Sequence, residues 1–417
     1  MNATAAITRE EAMVRLAAIA GPADTRIDGD AICVAPGSTE QIAEVLRFAN
    51  ECGLSVVPTG SGSKLGWGNP VAPELFLGLG RVNAVREHAW QDMTCTVEAG
   101  CAWAAMQSEL ARHGQMVALD PLWPERATVG GVLAANDSGA LRLRYGGLRD
   151  LVIGMTMALA DGTIAKSGGK VVKNVAGYDL HKLMTGSFGT LGVITEVNFR
   201  LHPVEQCART FTVGAQYGAQ LAGPLAELLH AQIAPSAVQL RTAAGQCALD
   251  VRLCTRPECL DGLTDQLRKI FNGMAVQEVD GRVWQAREQL FCEAGATVVK
   301  GSLLPAELCA TADDLKETAV AKSVDVSIVA QATGLMTAAL ADRRGAERDS
   351  IVTMIEQLRE RLRPSGGSVV ILQTPDALRG KIDVWDCRSD ALPLMREIKR
   401  RFDPNRTLSP GRFVGGI

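Results

Sequence analysis

The sequence predicts an α+β fold in two domains, and three observations carry that prediction. In the first half, short apolar strands are interspersed with capped helices, without the strict βαβ alternation of a doubly wound sheet. Glycine then recurs through residues 168–203, at Gly168, Gly169, Gly177, Gly186, Gly189 and Gly192. The spacing is too irregular for a repeat and too close for a continuous helix. After Pro203 the chain becomes richer in alanine and in helix-forming residues.

The elements follow in order. Residues 31–36 read as a strand, and Ser38 with Gln41 begins a helix in the S-x-x-Q capping pattern. Ile42, Val45, Leu46 and Ala49 recur at helical spacing, and Gly53 stands where the helix should stop. Leu54–Pro58, Leu75–Leu79 and Cys95–Glu98 are short apolar strands. Ala102–His113 is a helix with Trp103, Met106 and Leu110 on one face, ended by Gly114. The run from Asp150 to Ala160 precedes the turn signal Asp161-Gly162, which predicts strand, turn, strand and no crossover helix. Gly192 to Pro203 is a long strand closed by proline. Helices are expected near 220–232, 259–272 and 348–363, with strands near 247–254 and 368–373.

Composition narrows the function. The chain has 417 residues, 47% of them hydrophobic, enough for a large core and two or three domains. A net charge of −3 and 4% aromatics offer neither a basic surface nor a stacking platform for nucleic acid. No apolar run reaches the ~18 residues of a membrane helix. Glu10 and Glu11 interrupt an N-terminus that has no apolar core, so it makes a poor signal peptide, and a cytoplasmic location is expected. The eleven cysteines contain no C-x-x-C, and the tightest pairs are Cys95/Cys101 and Cys254/Cys259. Without closely grouped thiolates, any iron–sulfur cluster belongs to another chain. No two histidines have metal-ligand spacing, so no metal site is expected.

Three glycine-bearing segments carry the chemistry. The first, Pro58 to Gly68, contains Gly60-Ser61-Gly62-Ser63-Lys64-Leu65-Gly66. It is neither G-x-G-x-x-G nor G-x-x-x-x-G-K-[ST], and Trp67-Gly68-Asn69-Pro70 prevents the helix that a dinucleotide fingerprint needs. What remains is a tight turn or an irregular loop whose successive amides form an anion nest. The second, Ala127 to Asp150, has Thr128, Gly130 and Gly131, then Asn136-Asp137-Ser138-Gly139, then Arg144-Tyr145-Gly146. Local turn chemistry alone could also shape it. The third holds Gly189-Thr190-Leu191-Gly192-Val193-Ile194, with Lys170, Lys173, Asn174, Tyr178 and Asp179 upstream.

Together these segments resemble the FAD-binding domain of the vanillyl-alcohol-oxidase or PCMH-type flavoproteins. Within that superfamily the chain is most similar to the flavin-binding E subunits of bacterial glycolate oxidases, closely over the first half and thinly after Pro203. The resemblance implies a bipartite PCMH-type FAD-binding domain over 1–204, a smaller α+β cap over 205–376, and a C-terminal return over 377–417. It makes Pro58, Thr59, Gly60, Ser61, Gly62, Ser63, Lys64 and Leu65 the pyrophosphate loop. It lays Pro121, Thr128, Gly130, Gly131, Asn136, Ser138, Gly139, Arg144, Tyr145 and Gly146 along the flavin. It implies hydrogen bonds to FAD from the backbone of Gly192, Val193 and Ile194. Lys170 or Lys173 near the flavin would favour its anionic reduced form. Residues 58–68 lack the histidine by which some relatives tether flavin, so non-covalent FAD is expected.

The catalytic base has no candidate. Related catalytic subunits carry a histidine-rich, G-D-G-N-like motif in the second half, whereas this chain has no histidine after His230. His181 and His202 read as packed or surface residues. The expected role is a flavin-binding subunit of a complex that oxidises glycolate or D-lactate, with a sister FAD-containing catalytic subunit and an iron–sulfur subunit. It would lie in the cytoplasm, or peripheral to the inner membrane through those partners. Two alternatives stay open: a self-sufficient FAD-dependent 2-hydroxy-acid dehydrogenase, and a structural subunit with a vestigial flavin site.

Overall fold

The computed structural model describes residues 7–170, 177–243, 245–342, 348–387 and 390–417. Lys173 and Asn174 lie outside them. The chain divides into two compact units, one comprising residues up to Ser138, Gly147–Val204 and Cys387–Ile417, the other Gly139–Gly146 and Glu205–Asp386. The architecture is α+β throughout.

The first unit has two sheets. Strands β1 (Thr25–Asp28), β2 (Ala31–Val34), β3 (Val56–Thr59) and β4 (Leu75–Gly78) form a four-stranded sheet in the order β1-β2-β4-β3, with β4 parallel to both its neighbours. Helix α1 (Arg9–Ala20) begins in a capping box in which Thr8 and Glu11 satisfy each other's backbone amides. Helix α2 (Thr39–Cys52) links β2 to β3. Ser38 accepts from the Gln41 amide, as the pattern requires, but the Gln41 side chain reaches one residue further and accepts from Gly37 N–H at 2.7 Å. Gly53 ends the helix at φ +71°. The helix buries Ile42, Ala43, Val45, Leu46, Phe48 and Ala49 against the sheet core.

The second sheet is antiparallel. It contains β5 (Val85–Ala89), β6 (Thr94–Glu98), β8 (Val152–Ala158), β9 (Ile164–Gly168) and β10 (Val193–Arg200), in the order β5-β6-β10-β8-β9. The Asp161-Gly162 turn joins β8 to β9 as a hairpin, as expected. Two short strands, β7 (Gln115–Met116) and β11 (His202–Pro203), pair beside it. Helices α3 (Trp103–Ala111), α4 (Val129–Ala134), α6 (Leu148–Leu151) and α7 (Leu180–Met184) complete the unit, together with the C-terminal α13 (Leu392–Phe402).

The second unit also contains the short α5 (Arg142–Tyr145). It is built on one eight-stranded antiparallel sheet: β12 (Cys207–Ala215), β13 (Ala237–Ala243), β14 (Gln246–Thr255), β15 (Val276–Val279), β16 (Thr297–Ser302), β17 (Val324–Gln331), β18 (Leu335–Asp342) and β19 (Ser368–Gln373). Their order is β15-β12-β14-β13-β17-β18-β16-β19. The expected helices are present as α8 (Ala219–His230), α9 (Pro257–Ile270) and α12 (Arg348–Leu362), with α10 (Ala286–Gln289) and α11 (Leu308–Ala321) besides. The period of two is explicit in the core. Val299, Ile328 and Ala338 join the large cluster under the helices, while their neighbours Val298, Val329 and Ala339 join a smaller cluster on the other face. Both faces are therefore buried in the middle of the sheet. This region thus holds far more strand than its composition predicts, because alanine-rich stretches such as Leu335–Asp342 are paired on both edges and helix propensity is overridden.

Candidate functional site

A cleft in the first unit encloses about 750 Å³ of space, part of it open to solvent. Three chain segments far apart in sequence line it, joined by the C-terminal stretch. Its first wall is the loop from Pro58 to Leu65, which leaves the end of β3. Gly62 sits at φ +74°, and the Leu65 amide closes back on the Gly62 carbonyl at 3.0 Å. The amides of Gly60, Ser61, Gly62 and Ser63 meet no acceptor among the described residues. They form a run of donors of the kind that holds anions. Gly60 has a steric reason as well: a Cβ there would lie 2.0 Å from Thr128 Oγ1. That contact brings the first and second segments together.

Lys64 lines the cleft, but its ammonium turns inward. It donates to the Leu122 carbonyl at 3.1 Å, pairs with Asp137 at 3.4 Å, and lies over the rings of Trp67 and Trp123. Asp137 in turn accepts from the Leu122 amide at 2.7 Å. This buried pair fixes the end of the loop.

Thr128, Gly130 and Gly131 lie on the cleft wall at the start of α4. The amides at this helix end are already used: Val129 donates to Cys101 O, Gly130 to Ala99 O at 2.7 Å, and Gly131 to Thr128 Oγ1. The segment therefore offers a smooth surface of Gly and Ala, including Ala134 and Ala135, rather than free donors. A Cβ on Gly130 would meet Ala99 Cβ at 2.9 Å, so glycine is what lets the helix approach β6. At the other end of α4, the Leu133 and Ala134 carbonyls accept from Gly186 and Phe188 N–H, both at 2.9 Å. Helix α4 thus fastens the second segment to the third.

Gly192, Val193 and Ile194 also line the cleft. They open β10, which pairs with β8 from Val193 onward but with β6 only from Glu196. The β6-facing side of β10 at Val193 and Ile194 thus lies beyond the last β6 pair. Backbone in that position can present a donor and an acceptor to a planar ligand with no side chain intervening.

The sequence named no site residue in the C-terminal segment. Val56 N–H donates to Thr407 O, and Ser409 N–H to Val56 O, adding the tail to the edge of β3. Arg412 lines the cleft at 6% exposure, donates to the carbonyls of Lys64, Leu65 and Trp67, and lies over the Phe188 ring at 5.6 Å. Burial pushes its guanidinium pKa down to about 10. The resemblance implied a C-terminal return over 377–417, but a lone arginine gave no sign of its destination. Leu79, Ala99, Ser187 and Phe188 were missed too. The Ser187 hydroxyl is buried and has no hydrogen-bond partner among the described residues.

Other expected residues lie elsewhere. Pro121, Asn136 and Ser138 belong to the first unit but not to the cleft wall. Asn136, at φ +46°, packs beneath Gly186. Gly139, Arg144, Tyr145 and Gly146 fall in the second unit. There Tyr145 donates to Glu205 at 3.1 Å and Arg144 to the Cys254 carbonyl at 3.2 Å. Lys170 pairs with Glu87 and does not line the cleft. His181 is buried, its Nδ1 is 3.0 Å from Ser167 Oγ, and burial lowers its pKa. His230, in the second unit, is exposed with Nδ1 2.7 Å from a carbonyl of its own helix. Among the described residues no three His, Cys, Asp or Glu side chains are grouped to hold a metal ion, and no helix is long and apolar enough to cross a membrane.

The cleft suits an elongated, partly planar, anionic ligand: open amides at one loop, small side chains beneath, and a buried cation. Comparison with known proteins agrees. Residues 31–168 match the FAD binding domain family. The chain is 34% identical over 207 residues to glycolate oxidase subunit GlcD of Bacillus subtilis, covering 49% of this chain and 44% of that protein. It is 35% identical over 177 residues to a mitochondrial cytochrome D-lactate dehydrogenase of Arabidopsis thaliana, covering 42% of this chain and 31% of that protein. The matched region spans less than half the length of both. An uncharacterized FAD-linked oxidoreductase of Mycobacterium tuberculosis is 27% identical over 91% of this chain and 90% of its own. Among solved structures, 4-ethylphenol oxidase from Gulosibacter chungangensis shares the fold with a TM-score of 0.76 at 16% identity, over 97% of this chain and 96% of that one.

Proposed function

Residues 31–168 are an FAD binding domain, and on that premise we propose that this chain is the FAD-binding subunit of a multi-subunit enzyme that oxidises glycolate or D-lactate. Electrons would leave toward an acceptor other than oxygen. The observation that carries this reading is the glycine-lined cleft, assembled from three separate segments and fitted to a long anionic cofactor. The amides of residues 60–63 would hold the diphosphate. Gly130, Gly131, Ala134 and Ala135 would lie against the flavin, and the backbone of Val193 and Ile194 would hydrogen-bond it. When bound, FAD supplies the two-electron acceptor that oxidation of a 2-hydroxy acid requires. With no histidine in the 58–68 loop, the cofactor is held without a covalent bond.

The proton of the substrate hydroxyl needs a base. The sole histidine beyond residue 204 is His230, which is exposed and engaged with its own helix. We therefore assign that step to a sister FAD-containing subunit, with an iron–sulfur subunit receiving the electrons. A self-sufficient 2-hydroxy-acid dehydrogenase is the second reading, favoured by the similarity to D-lactate dehydrogenases.

The visible spectrum of the purified chain tests both, before and after anaerobic addition of glycolate or D-lactate. A flavin band that persists with the chain alone and bleaches when partner chains are added is the expected result. Bleaching by the chain alone would establish the second reading. No flavin band after reconstitution would refute both.

A further inference from the structure

The cleft needs positive charge, since a diphosphate diester is doubly anionic. The loop that offers amides carries one cation of its own, Lys64, and that ammonium is committed to Asp137 and to the Leu122 carbonyl. Arg412 comes from the far end of the chain and lines the same cleft, 6% exposed. It is a fixed group: carbonyls of Lys64, Leu65 and Trp67 hold its Nε and Nη2, and Phe188 lies beneath it. A rigid guanidinium fork matches phosphate oxygens better than a flexible ammonium does. A second polar group points the same way. Ser187, next to Phe188 on the cleft wall, keeps a buried hydroxyl with no partner among the described residues.

We propose that Arg412 is the charge-recognition residue of the cleft and reads the diphosphate of FAD, an assignment that rests on the FAD reading above. The C-terminal segment is then a binding element and not merely a structural return. Because Arg412 bonds the carbonyls of residues 64, 65 and 67, a bound diphosphate also tightens the tail onto the loop.

The test compares FAD with riboflavin, which has the same ring and no phosphate. Flavin-free full-length chain, wild type and carrying Arg412→Gln or Arg412→Lys, is titrated with each ligand by fluorescence quenching. Glutamine keeps an amide donor toward the loop carbonyls but removes the charge. The expected result is FAD binding weakened roughly 10- to 100-fold in Arg412→Gln, riboflavin binding unchanged within about twofold in both variants, and FAD binding weakened less, by roughly 3- to 10-fold, in Arg412→Lys, which keeps the charge and loses the fork. Equal weakening of both ligands would reduce Arg412 to a structural role, and unchanged FAD binding would remove it from recognition altogether; either overturns the proposal. Should Arg412→Gln fail to fold, Arg412→Lys decides alone: FAD weakened with riboflavin unaffected supports a phosphate contact, and both weakened alike overturns it. A wild-type chain that binds no FAD would instead refute the function proposed above.

Discussion

Lys399 and Asp403 form an ion pair of 2.6 Å in which neither side chain is more than 6% exposed. They stand one turn apart at the end of α13, and of their remaining side-chain bonds one reaches outside the tail while the others brace the turn that follows the helix. Lys399 Nζ donates to Thr190 O and Leu408 O, both at 2.8 Å. Asp403 accepts from the amides of Thr407 and Leu408. Burial pulls the Lys399 pKa down, against the opposing pull of Asp403. Through Thr190 the pair thus holds the tail against the third glycine-bearing segment.

Removing one partner should be severe. Lys399→Met leaves the Asp403 carboxylate buried without its cation, and a loss of about 3–5 kcal/mol is expected in equilibrium unfolding by denaturant. Lys399→Met/Asp403→Asn should recover part of it, since the asparagine carbonyl still accepts an amide and no bare charge remains. A double variant no more stable than Lys399→Met would show that charge is not the cause.

Gly60 and Gly62 separate steric need from conformational need. Gly60→Ala places a methyl against Thr128 Oγ1, at a distance of 2.0 Å before relaxation. Gly62→Ala meets nothing within 4 Å but keeps φ +74°, a strain of about 1–2 kcal/mol. Calorimetric titration with FAD should show Gly60→Ala the weaker binder, by about tenfold or more (~1.4 kcal/mol), with far-ultraviolet circular dichroism unchanged in both. Equal affinities would mean that the two loops do not meet at this contact.

Alkaline pH should destabilise the chain through its buried thiols. Burial pushes the Cys95 pKa up to about 12 and that of Cys309 up to about 11, against about 8.5 for an unfolded thiol. Between those values the folded state binds more protons than the unfolded state, so stability falls as pH rises. The contribution is complete below the unfolded value and is lost through the folded one, at up to about 1.4 kcal/mol per pH unit for each group. Denaturation curves at pH 8, 9 and 10 should show Cys95→Ala with a shallower loss than wild type. Parallel slopes would exclude Cys95 as a source.

The strand content after Pro203 exceeds what the residues suggest, for a physical reason. Leu335–Asp342 hides its strand because its alanines, in a doubly buried sheet, lack the alternation that marks a half-exposed one, whereas residues 324–328 do alternate apolar with polar residues. The resemblance assigned Arg144 and Tyr145 to the flavin segments. Their contacts with Cys254 and Glu205 place them in the other unit.

Local chemistry was legible from the residues alone. Ser38 and Gly53 bound α2, the Asp161-Gly162 turn makes a hairpin, and Asn69-Pro70 keep the first glycine loop from leading into a helix. Caps, turns and glycine conformations depend on neighbours within about four positions, and the amino-acid order contains those neighbours. The company each segment keeps was legible only in the folded chain. Gly60 needs its bare Cα because Thr128 lies against it, and Arg412 reaches a carbonyl 348 residues away. Such contacts leave no period and no spacing in a single sequence. A lone arginine in a polar tail reads as a surface residue until packing draws it into the cleft.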